Sequence, residues 1–473
     1  MSEPQSGVVP VTSHRGILTG VAALAGGEIG GRLVAFAATA WLTRKLGPDG
    51  FGIIGFATAI SAYLLLATTT GFNDIGTRDV ARHPDRAVTI AASAIAVRLL
   101  MGLAGLALLG VVALLLPKAP VVKAVIVLSG LSFLSQAIDI SWVLRGLERN
   151  VRVGAMNIAT QLLYAAGILA FVDGPEDVIR VPIIQFGSEL AAGCWLCVGL
   201  FGRRIPRASL REGLGILKAS GFVTASRLMR VVILTSGLIT LGLVAGEAAT
   251  GVFAAAYRFC FLLIAIAAAV NNAFLPSVAR AADHGANALR DVIRSAVRIM
   301  ATIAAPIVLG GAVTAGPLLR LLFGPSFELG AQAFQILLIS CGFLFAHATV
   351  HNILLAVHRT NVETVLFFVA ALVALMLNVT LIPRHGIVGA AVAALAAEAL
   401  IAVVGWVYVK TLGVAPGWRP LVPPAVSAGV MVAVLIALGG FPTLLQIPLG
   451  ALVYGVMLVL TGGVRRVWGP HSA

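Results

Sequence analysis

Charged side chains are scarce in this chain. Only 11% of its 473 residues are Asp, Glu, Lys or Arg, whereas 59% are hydrophobic. A soluble globular protein carries about 25% charged residues, so the composition excludes an ordinary water-soluble fold and indicates a chain that faces lipid. The four cysteines all lie inside apolar runs, and we therefore expect no disulfide framework.

Long polar segments are also missing. The connections between apolar runs, including 203–217 and 276–293, are too short for a folded soluble domain, which normally needs about 50 residues or more. The sequence contains no GxxxxGK[ST] phosphate loop, so we expect no cofactor and no direct use of ATP. The polar N-terminal segment lacks the pattern of a secretory signal, and we expect the first apolar segment to be retained.

Apolar runs long enough to cross a bilayer recur along the chain. A spanning helix needs about 20 mostly apolar residues. The sequence therefore predicts an all-α integral membrane protein with about 14 transmembrane helices. The predicted spans are 17–43, 51–72, 88–116, 121–144, 154–172, 181–202, 218–243, 250–275, 294–319, 331–357, 362–382, 386–410, 420–440 and 443–463.

The net charge of +14 has two readings. A basic chain can bind nucleic acid, but Lys and Arg also flank membrane spans and fix their orientation. Here the basic residues fall mostly in alternate connections between the predicted spans. This distribution predicts that both termini are cytoplasmic, and we expect no nucleic-acid partner.

Several arginines lie inside predicted spans. A charge at the bilayer centre costs about 2.5–3.5 kcal/mol, so such residues usually face a bundle interior or a wet cavity. Too few acids lie near these arginines in the sequence to neutralise them, and Arg binds phosphate or carboxylate well. The pattern predicts a cationic central cavity for an anionic ligand. Its predicted lining residues are Arg32, Arg98, Arg227, Arg230 and Arg258.

Three glutamates also lie near span centres. They are candidates for carrying a coupling ion, and they are Glu28, Glu189 and Glu398. Glu28 precedes Arg32 by four residues on one helix face, which fits either a self-neutralising structural pair or a polar cavity wall. The spacing of His347 and His351 can ligate a metal, but no third ligand is apparent in the sequence, so we expect no metal site.

An internal repeat divides the chain. The segment "LGPDGFGIIGFATA" (46–59) follows the first span, and "AGEAATGVFAAAYR" (245–258) follows the seventh. Aligning Gly52 with Gly251 places Arg32 within one residue of Arg230. Two pseudo-symmetric six-helix bundles are typical of transporters that bind substrate between their halves. The predicted units are an N-terminal tail (1–16), a first bundle (17–202), a basic cytoplasmic linker (203–217), a second bundle (218–410) and two extra helices with a short tail (411–473).

Several segments resemble a known family. They are "RLVAFAATAWLTRKLGPDGFGIIGFATAI" (32–60), "GFNDIGTRDVAR" (71–82), "AYRFCFLLIAIAAAVNNAFLPSVAR" (256–280), "LLFGPSFELGAQAFQILLIS" (321–340) and "LIPRHGIVGAAVAALAAE" (381–398). Over roughly residues 15–410 the chain is similar to bacterial polysaccharide, or O-antigen, flippases of the multidrug/oligosaccharidyl-lipid/polysaccharide exporter superfamily.

The resemblance implies two six-helix bundles facing each other in a V, often with two extra C-terminal helices. It also implies a flippase, not an enzyme, in the bacterial inner membrane. Such a protein moves polyprenyl-diphosphate-linked oligosaccharide from the cytoplasmic to the periplasmic leaflet for surface or exopolysaccharide biosynthesis. Its expected partners are membrane lipids, a polysaccharide polymerase and glycosyltransferases.

Three alternatives remain open from the sequence. A multidrug exporter of the same superfamily predicts an acid-rich cavity, whereas arginines outnumber acids inside these spans. A lipid II flippase predicts a similar cationic cavity. A membrane glycan polymerase or ligase commonly carries a large external loop, and no connection in this chain has that length.

Overall fold

The computed structural model describes residues 14–69, 71–202, 207–219, 221–439 and 441–463. Within these residues the regular elements are helices and no strand occurs, which confirms the predicted all-α fold. The α-helices are α1 (His14–Thr69), α2 (Thr77–Arg82), α3 (Ala87–Leu115), α4 (Pro120–Ser129), α5 (Ser132–Ala137), α6 (Ser141–Gly146), α7 (Asn150–Phe171), α8 (Arg180–Phe201), α9 (Leu210–Ala219), α10 (Gly221–Val244), α11 (Glu247–Asp283), α12 (Ala286–Ala305), α13 (Gly311–Val313), α14 (Ala315–Phe323), α15 (Ala331–Ala356), α16 (Thr360–Thr411), α17 (Val422–Ala437) and α18 (Thr443–Leu460).

Twelve helical segments in the described part of the chain are long and apolar enough to cross a membrane. Large apolar side chains on these segments, such as Leu115 and Val198, are exposed. Extensive exposed apolar surface is unfavourable in water but is expected where lipid is the solvent. The chain is therefore a multi-pass membrane protein.

Two of these helices are more than twice as long as one crossing requires. α1 has 56 residues and α16 has 52, whereas the hydrocarbon core takes about 20. Each helix turns at a glycine with positive φ, at Gly47 (φ 65°, ψ −177°) and Gly386 (φ 53°, ψ −129°), a region that glycine adopts without steric cost. If each arm crosses once, the crossings equal the predicted fourteen, and the exact count stays a prediction.

The internal repeat appears in the backbone. Gly246, just before α11, has φ 88° and ψ 177°, which is close to the conformation of Gly47. The alignment of Gly52 with Gly251 also aligns these two turn glycines. The same turn therefore precedes a long helix in both halves of the chain.

The two halves meet where α1 crosses α11. A Cβ on Gly52 would lie 1.8 Å from the carbonyl oxygen of Glu247, and a Cβ on Gly251 would lie 1.8 Å from the carbonyl oxygen of Pro48. Only glycine permits backbones to approach this closely. We call this reciprocal contact, made by Gly52 and Gly251, the glycine crossing.

The predicted linker 203–217 contains a helix. Residues 203–206 lie outside the described residues, but α9 begins at Leu210 and packs on the first half. Its Glu212 accepts hydrogen bonds from Arg86 at 2.6 Å and from the Ser93 hydroxyl at 3.0 Å. The linker is therefore docked on α3, while the predicted domain boundaries stay a prediction.

The last two helices pack against each other and against the second half. Met431 and Leu435 of α17 share a buried cluster with Tyr454 and Leu458 of α18. The Tyr454 hydroxyl donates to the carbonyl oxygen of Thr302 in α12 at 2.8 Å. These contacts join the C-terminal pair to α12.

Candidate functional site

A polar cavity lies among helices of the first half and reaches α11 of the second. It consists of three linked pockets of about 260, 220 and 170 Å³. Arg32 lines the first two, Arg258 lines the second and third, and Glu189 lines the first and third. We call these linked pockets the central cavity.

Arg32 and Arg258 come from opposite halves of the chain. Arg32 lies on α1, where Gly27 packs so closely on α7 that an added Cβ would lie 2.5 Å from the Cα of Gly154. Arg258 lies on α11, beyond the glycine crossing. Both arginine side chains are exposed, so the central cavity brings together two of the arginines predicted from sequence.

The cavity wall also carries two carboxylates. The Glu189 carboxylate accepts hydrogen bonds from the Ser135 hydroxyl at 2.6 Å and from the Gln185 amide at 3.1 Å. The Asp139 carboxylate accepts from the backbone N–H of Ser141 at 2.8 Å and from its hydroxyl at 3.0 Å. The wall is therefore of mixed sign, and neutral protein donors engage both acids.

Uncharged polar residues complete the wall, and the sequence-based prediction missed them. Asn157, Thr160 and Gln161 of α7 line the cavity, because residues three and four apart share a helix face. Gln136 lines it from α5. Amides both donate and accept hydrogen bonds. A cluster of amides inside an apolar span is a usable sequence signal, although it carries no charge.

Arg230 and Glu398, which were predicted in separate roles, form one ion pair. The guanidinium of Arg230 in α10 lies 2.5 Å from the carboxylate of Glu398 in α16, and the two side chains are 21% and 5% exposed. Arg230 also lies over the Phe367 ring, 5.8 Å from its centroid. The acid that neutralises Arg230 therefore comes from a distant helix. Arg227 is exposed on α10.

Arg98 lies within the packed first half. It is 1% exposed and donates to the carbonyl oxygens of Thr68 at 3.2 Å and Asp139 at 2.9 Å. These bonds tie α3 to its neighbours. Glu28 belongs to α1 but lies outside the residues whose side chains the structure describes.

A carboxylate in the second half lies between two histidines. Glu363 lies within hydrogen-bond distance of His347 (3.2 Å) and of His351 (2.8 Å). Glu363 and His347 are both 7% exposed. The two histidines noted in the sequence therefore share a carboxylate from the start of α16.

An apolar groove adjoins the central cavity. It has a volume of about 460 Å³ and is lined by α1, α11, α14, α17 and α18. Phe36 lines both this groove and the central cavity, so the two spaces lie side by side at this residue. Ile447, which also lines the groove, is 43% exposed, and the groove therefore reaches the lipid-facing surface.

Polar contacts between the halves lie close to the glycine crossing. Lys118 of the first half forms a 2.8 Å salt bridge with Glu247 of the second. The Arg44 guanidinium donates to the carbonyl oxygen of Leu321. The halves are therefore held together at this end of the molecule.

Comparison with known proteins identifies the family. The profile of the family described as "Polysaccharide biosynthesis protein" matches residues 17–282, more than half of the chain. A protein of Escherichia coli K12 named "Putative O-antigen transporter" is 23% identical over 383 residues, which cover 76% of this chain and 89% of that protein. The "Probable flippase AglR" of Haloferax volcanii is 26% identical over 233 residues, 47% of each chain.

Solved structures share the fold. The lipid II flippase MurJ in an inward closed conformation superposes with a TM-score of 0.73 at 13% identity, covering 91% of this chain and 96% of MurJ. A transporter of the MOP superfamily from Pyrococcus furiosus superposes with a TM-score of 0.59 at 16% identity, covering 84% of this chain and 96% of that one.

These matches confirm the resemblance found in the sequence. The named relatives are transporters and flippases, and not enzymes. The chain belongs to the polysaccharide biosynthesis protein family and has the fold of MOP-superfamily transporters.

Proposed function

We propose that the protein moves a polyprenyl-diphosphate-linked oligosaccharide from the cytoplasmic to the periplasmic leaflet of a bacterial inner membrane. The observation that carries this proposal is the junction of the polar central cavity and the apolar groove at Phe36. A substrate with an anionic, hydroxyl-rich head and a long apolar tail needs both environments side by side. The product would supply surface or exopolysaccharide synthesis by a polymerase and glycosyltransferases.

The head group binds in the central cavity. Arg32 and Arg258 approach the diphosphate from opposite halves, since a guanidinium forms paired, charge-assisted hydrogen bonds with phosphate. Asn157 and Gln161 hydrogen-bond sugar hydroxyls through their amides. Arg230 has a different task, because Glu398 already neutralises it: it links α10 to α16.

The tail stays in an apolar environment throughout. The groove offers an apolar wall that reaches the surface, so the polyprenyl chain avoids the polar cavity while the head crosses. Only the head then needs protein groups to replace its hydration, which would be costly to lose without compensation.

Transport proceeds by alternating access of the two halves. With both termini cytoplasmic, as the basic residues predict, the glycine crossing lies at the periplasmic end and the central cavity opens toward the cytoplasm. Rocking of the two repeats about the site then exposes the head group to the other side. This motion separates Lys118 from Glu247.

Glu189 is our candidate for ion coupling. It lines two of the linked pockets and shares one of them with Arg258, so a proton on its carboxylate changes the charge beside the bound diphosphate. In proteoliposomes, an imposed pH gradient should accelerate transport by the wild type and not by Glu189→Gln. Wild-type transport that ignores the gradient would remove proton coupling from the mechanism.

Purified protein in liposomes tests the function directly. We expect the wild type to move polyprenyl-diphosphate-linked oligosaccharide between leaflets. Arg258→Gln should slow it by about tenfold to a hundredfold, the loss expected when charge-assisted hydrogen bonds worth about 1.5–3 kcal/mol are removed. The matched control is Arg280→Gln, which changes an exposed arginine near the other end of α11.

Three outcomes contradict the proposal. Equal rates for Arg258→Gln and the wild type would separate Arg258 from the substrate path. Movement of lipid II alone would assign the protein to peptidoglycan precursors. Movement of cationic drugs without lipid-linked saccharide would make it a multidrug exporter.

A further inference from the structure

A large apolar cavity lies outside the proposed substrate path. It has a volume of about 580 Å³ and lies between α12, α15, α16 and α17, with Met300, Phe345 and Trp406 in its wall. Its lining residues belong neither to the central cavity nor to the apolar groove. The volume falls in the range of about 300–1,000 Å³ that is typical of ligand sites. We call it the lateral cavity.

One polar atom in this wall lacks a partner. Thr349 is 2% exposed, and its hydroxyl has no hydrogen-bond partner among the described residues. A helical threonine often bonds the carbonyl four residues back, as Thr39 does with Ala35. A buried hydroxyl without a partner is costly, and rotation of this covered side chain toward the cavity would let a ligand satisfy it.

The mouth of the cavity carries a positive charge. Lys410, in the last turn of α16, lines the cavity and is exposed. The loop after α16 is held in place, because Arg290 of α12 donates to the carbonyl oxygen of Gly413. Leu309 and Leu421 also line the cavity and are 41% and 43% exposed, so it opens to lipid.

We propose that the lateral cavity binds one anionic phospholipid of the surrounding bilayer. Its phosphate lies at Lys410, where a basic residue at a span end attracts anionic head groups. An ester carbonyl accepts the hydrogen bond of Thr349 once that side chain rotates toward the cavity, and an acyl chain fills the space between α12 and α15. Gly342 and Thr349 both line the cavity and lie about 10 Å apart along α15 at 1.5 Å per residue. This stretch of α15 gives the acyl chain a long apolar wall.

This site is distinct from the proposed transport path. The lipid would fill the space between α17 and the second half, and would thereby hold the C-terminal pair in place. The proposal needs only that the protein lies in a membrane. It does not depend on which saccharide is moved.

Tryptophan quenching by brominated lipids tests the proposal on the full-length protein in nanodiscs. Trp406 lines the cavity, and its emission is isolated by subtracting the Trp406→Phe spectrum. A small fraction of dibrominated phosphatidylglycerol in phosphatidylcholine should quench Trp406 about fivefold more effectively than the same fraction of dibrominated phosphatidylcholine, the effect of one lysine on an anionic head group. Trp195 of α8, which is 54% exposed, lies away from the cavity and is isolated in the same way, should show no such preference.

Three variants sharpen the test. Lys410→Gln should abolish the head-group preference at Trp406, whereas the matched control Lys123→Gln should retain it. Ala301→Phe, which fills the cavity, should reduce quenching by both brominated lipids. Equal quenching by the two lipids in the wild type, or an unchanged preference in Lys410→Gln, overturns the proposal. Full displacement by a small amount of added polyprenyl phosphate also overturns it and assigns the cavity to the substrate tail.

Discussion

The two halves of the molecule share a backbone design. Gly47 and Gly246 make the same turn before a long helix, and Gly52 and Gly251 then meet reciprocally where those helices cross. These positions are constrained by geometry, because a side chain at the crossing would overlap the partner's backbone.

The chemistry of the halves differs. The first half supplies Arg32, Glu189 and the amides of α7 to the central cavity, whereas the second supplies Arg258. The second half keeps another arginine, Arg230, paired with an acid. The shared geometry provides a scaffold for closure, and the unequal polar residues make one half the main contact for a polar ligand.

The largest expected effect concerns the shared geometry. Gly52→Ala or Gly251→Ala places a methyl group 1.8 Å from a backbone oxygen, and backbone cannot rotate away as a side chain can. We expect loss of the closed arrangement and a large fall in melting temperature in detergent. Gly110→Ala is the control, since nothing lies within 4 Å of a Cβ added at Gly110. Alanine there should stabilise the helix by about 0.5–1 kcal/mol. Equal melting temperatures for the three variants would contradict the crossing.

The Arg230–Glu398 pair tests whether the second half uses its charges for structure. Breaking a buried ion pair by removing one partner costs about 3–5 kcal/mol of folding free energy. Because Arg230 is partly exposed, we expect a cost toward the lower end of this range. Arg230→Gln and Glu398→Gln should each lower the melting temperature. The double variant Arg230→Met with Glu398→Leu should recover most of the loss. Reduced transport in Arg230→Gln with unchanged stability would instead make Arg230 a ligand-binding residue.

The amides of the first half should matter for binding and not for folding. Gln161→Leu removes a neutral hydrogen bond worth about 0.5–1.5 kcal/mol, so the apparent affinity for substrate should weaken by about two- to tenfold. Gln335→Leu, at an exposed glutamine that bonds the Ala312 carbonyl, is the control. An unchanged affinity in Gln161→Leu would mean that α7 does not contact the saccharide.

The Lys118–Glu247 salt bridge should have the smallest effect. Its side chains are 13% and 32% exposed, so water reaches the Glu247 carboxylate and screens the pair, and solvent-screened pairs contribute about 0–1 kcal/mol. Lys118→Gln should shift a small fraction of molecules toward an opened crossing, measured by the distance between spin labels on the two halves. Exchanging the charges, with Lys118→Glu and Glu247→Lys together, should restore the wild-type distribution. A shift that persists in the exchanged variant would exclude the salt bridge as its cause.

The fold was largely predictable because hydropathy and the repeated glycine motif are local signals. The central cavity was only partly predictable. Arg32 and Arg258 were found because charges inside apolar spans are rare, but the pairing of Arg230 with Glu398 joins residues 168 positions apart, which no local pattern reveals. The amides at Asn157 and Gln161 were missed because they carry no charge.

The most direct test of the central claim is the sidedness of polyprenyl-linked oligosaccharide in membranes from a deletion strain. We predict that the oligosaccharide accumulates on the cytoplasmic face and that the wild-type protein restores it to the periplasmic face. Arg32→Ala should insert into the membrane normally but should not restore the oligosaccharide to the periplasmic face. Normal sidedness in a deletion strain without a second flippase would contradict the proposed function, and full rescue by Arg32→Ala would remove Arg32 from the transport path.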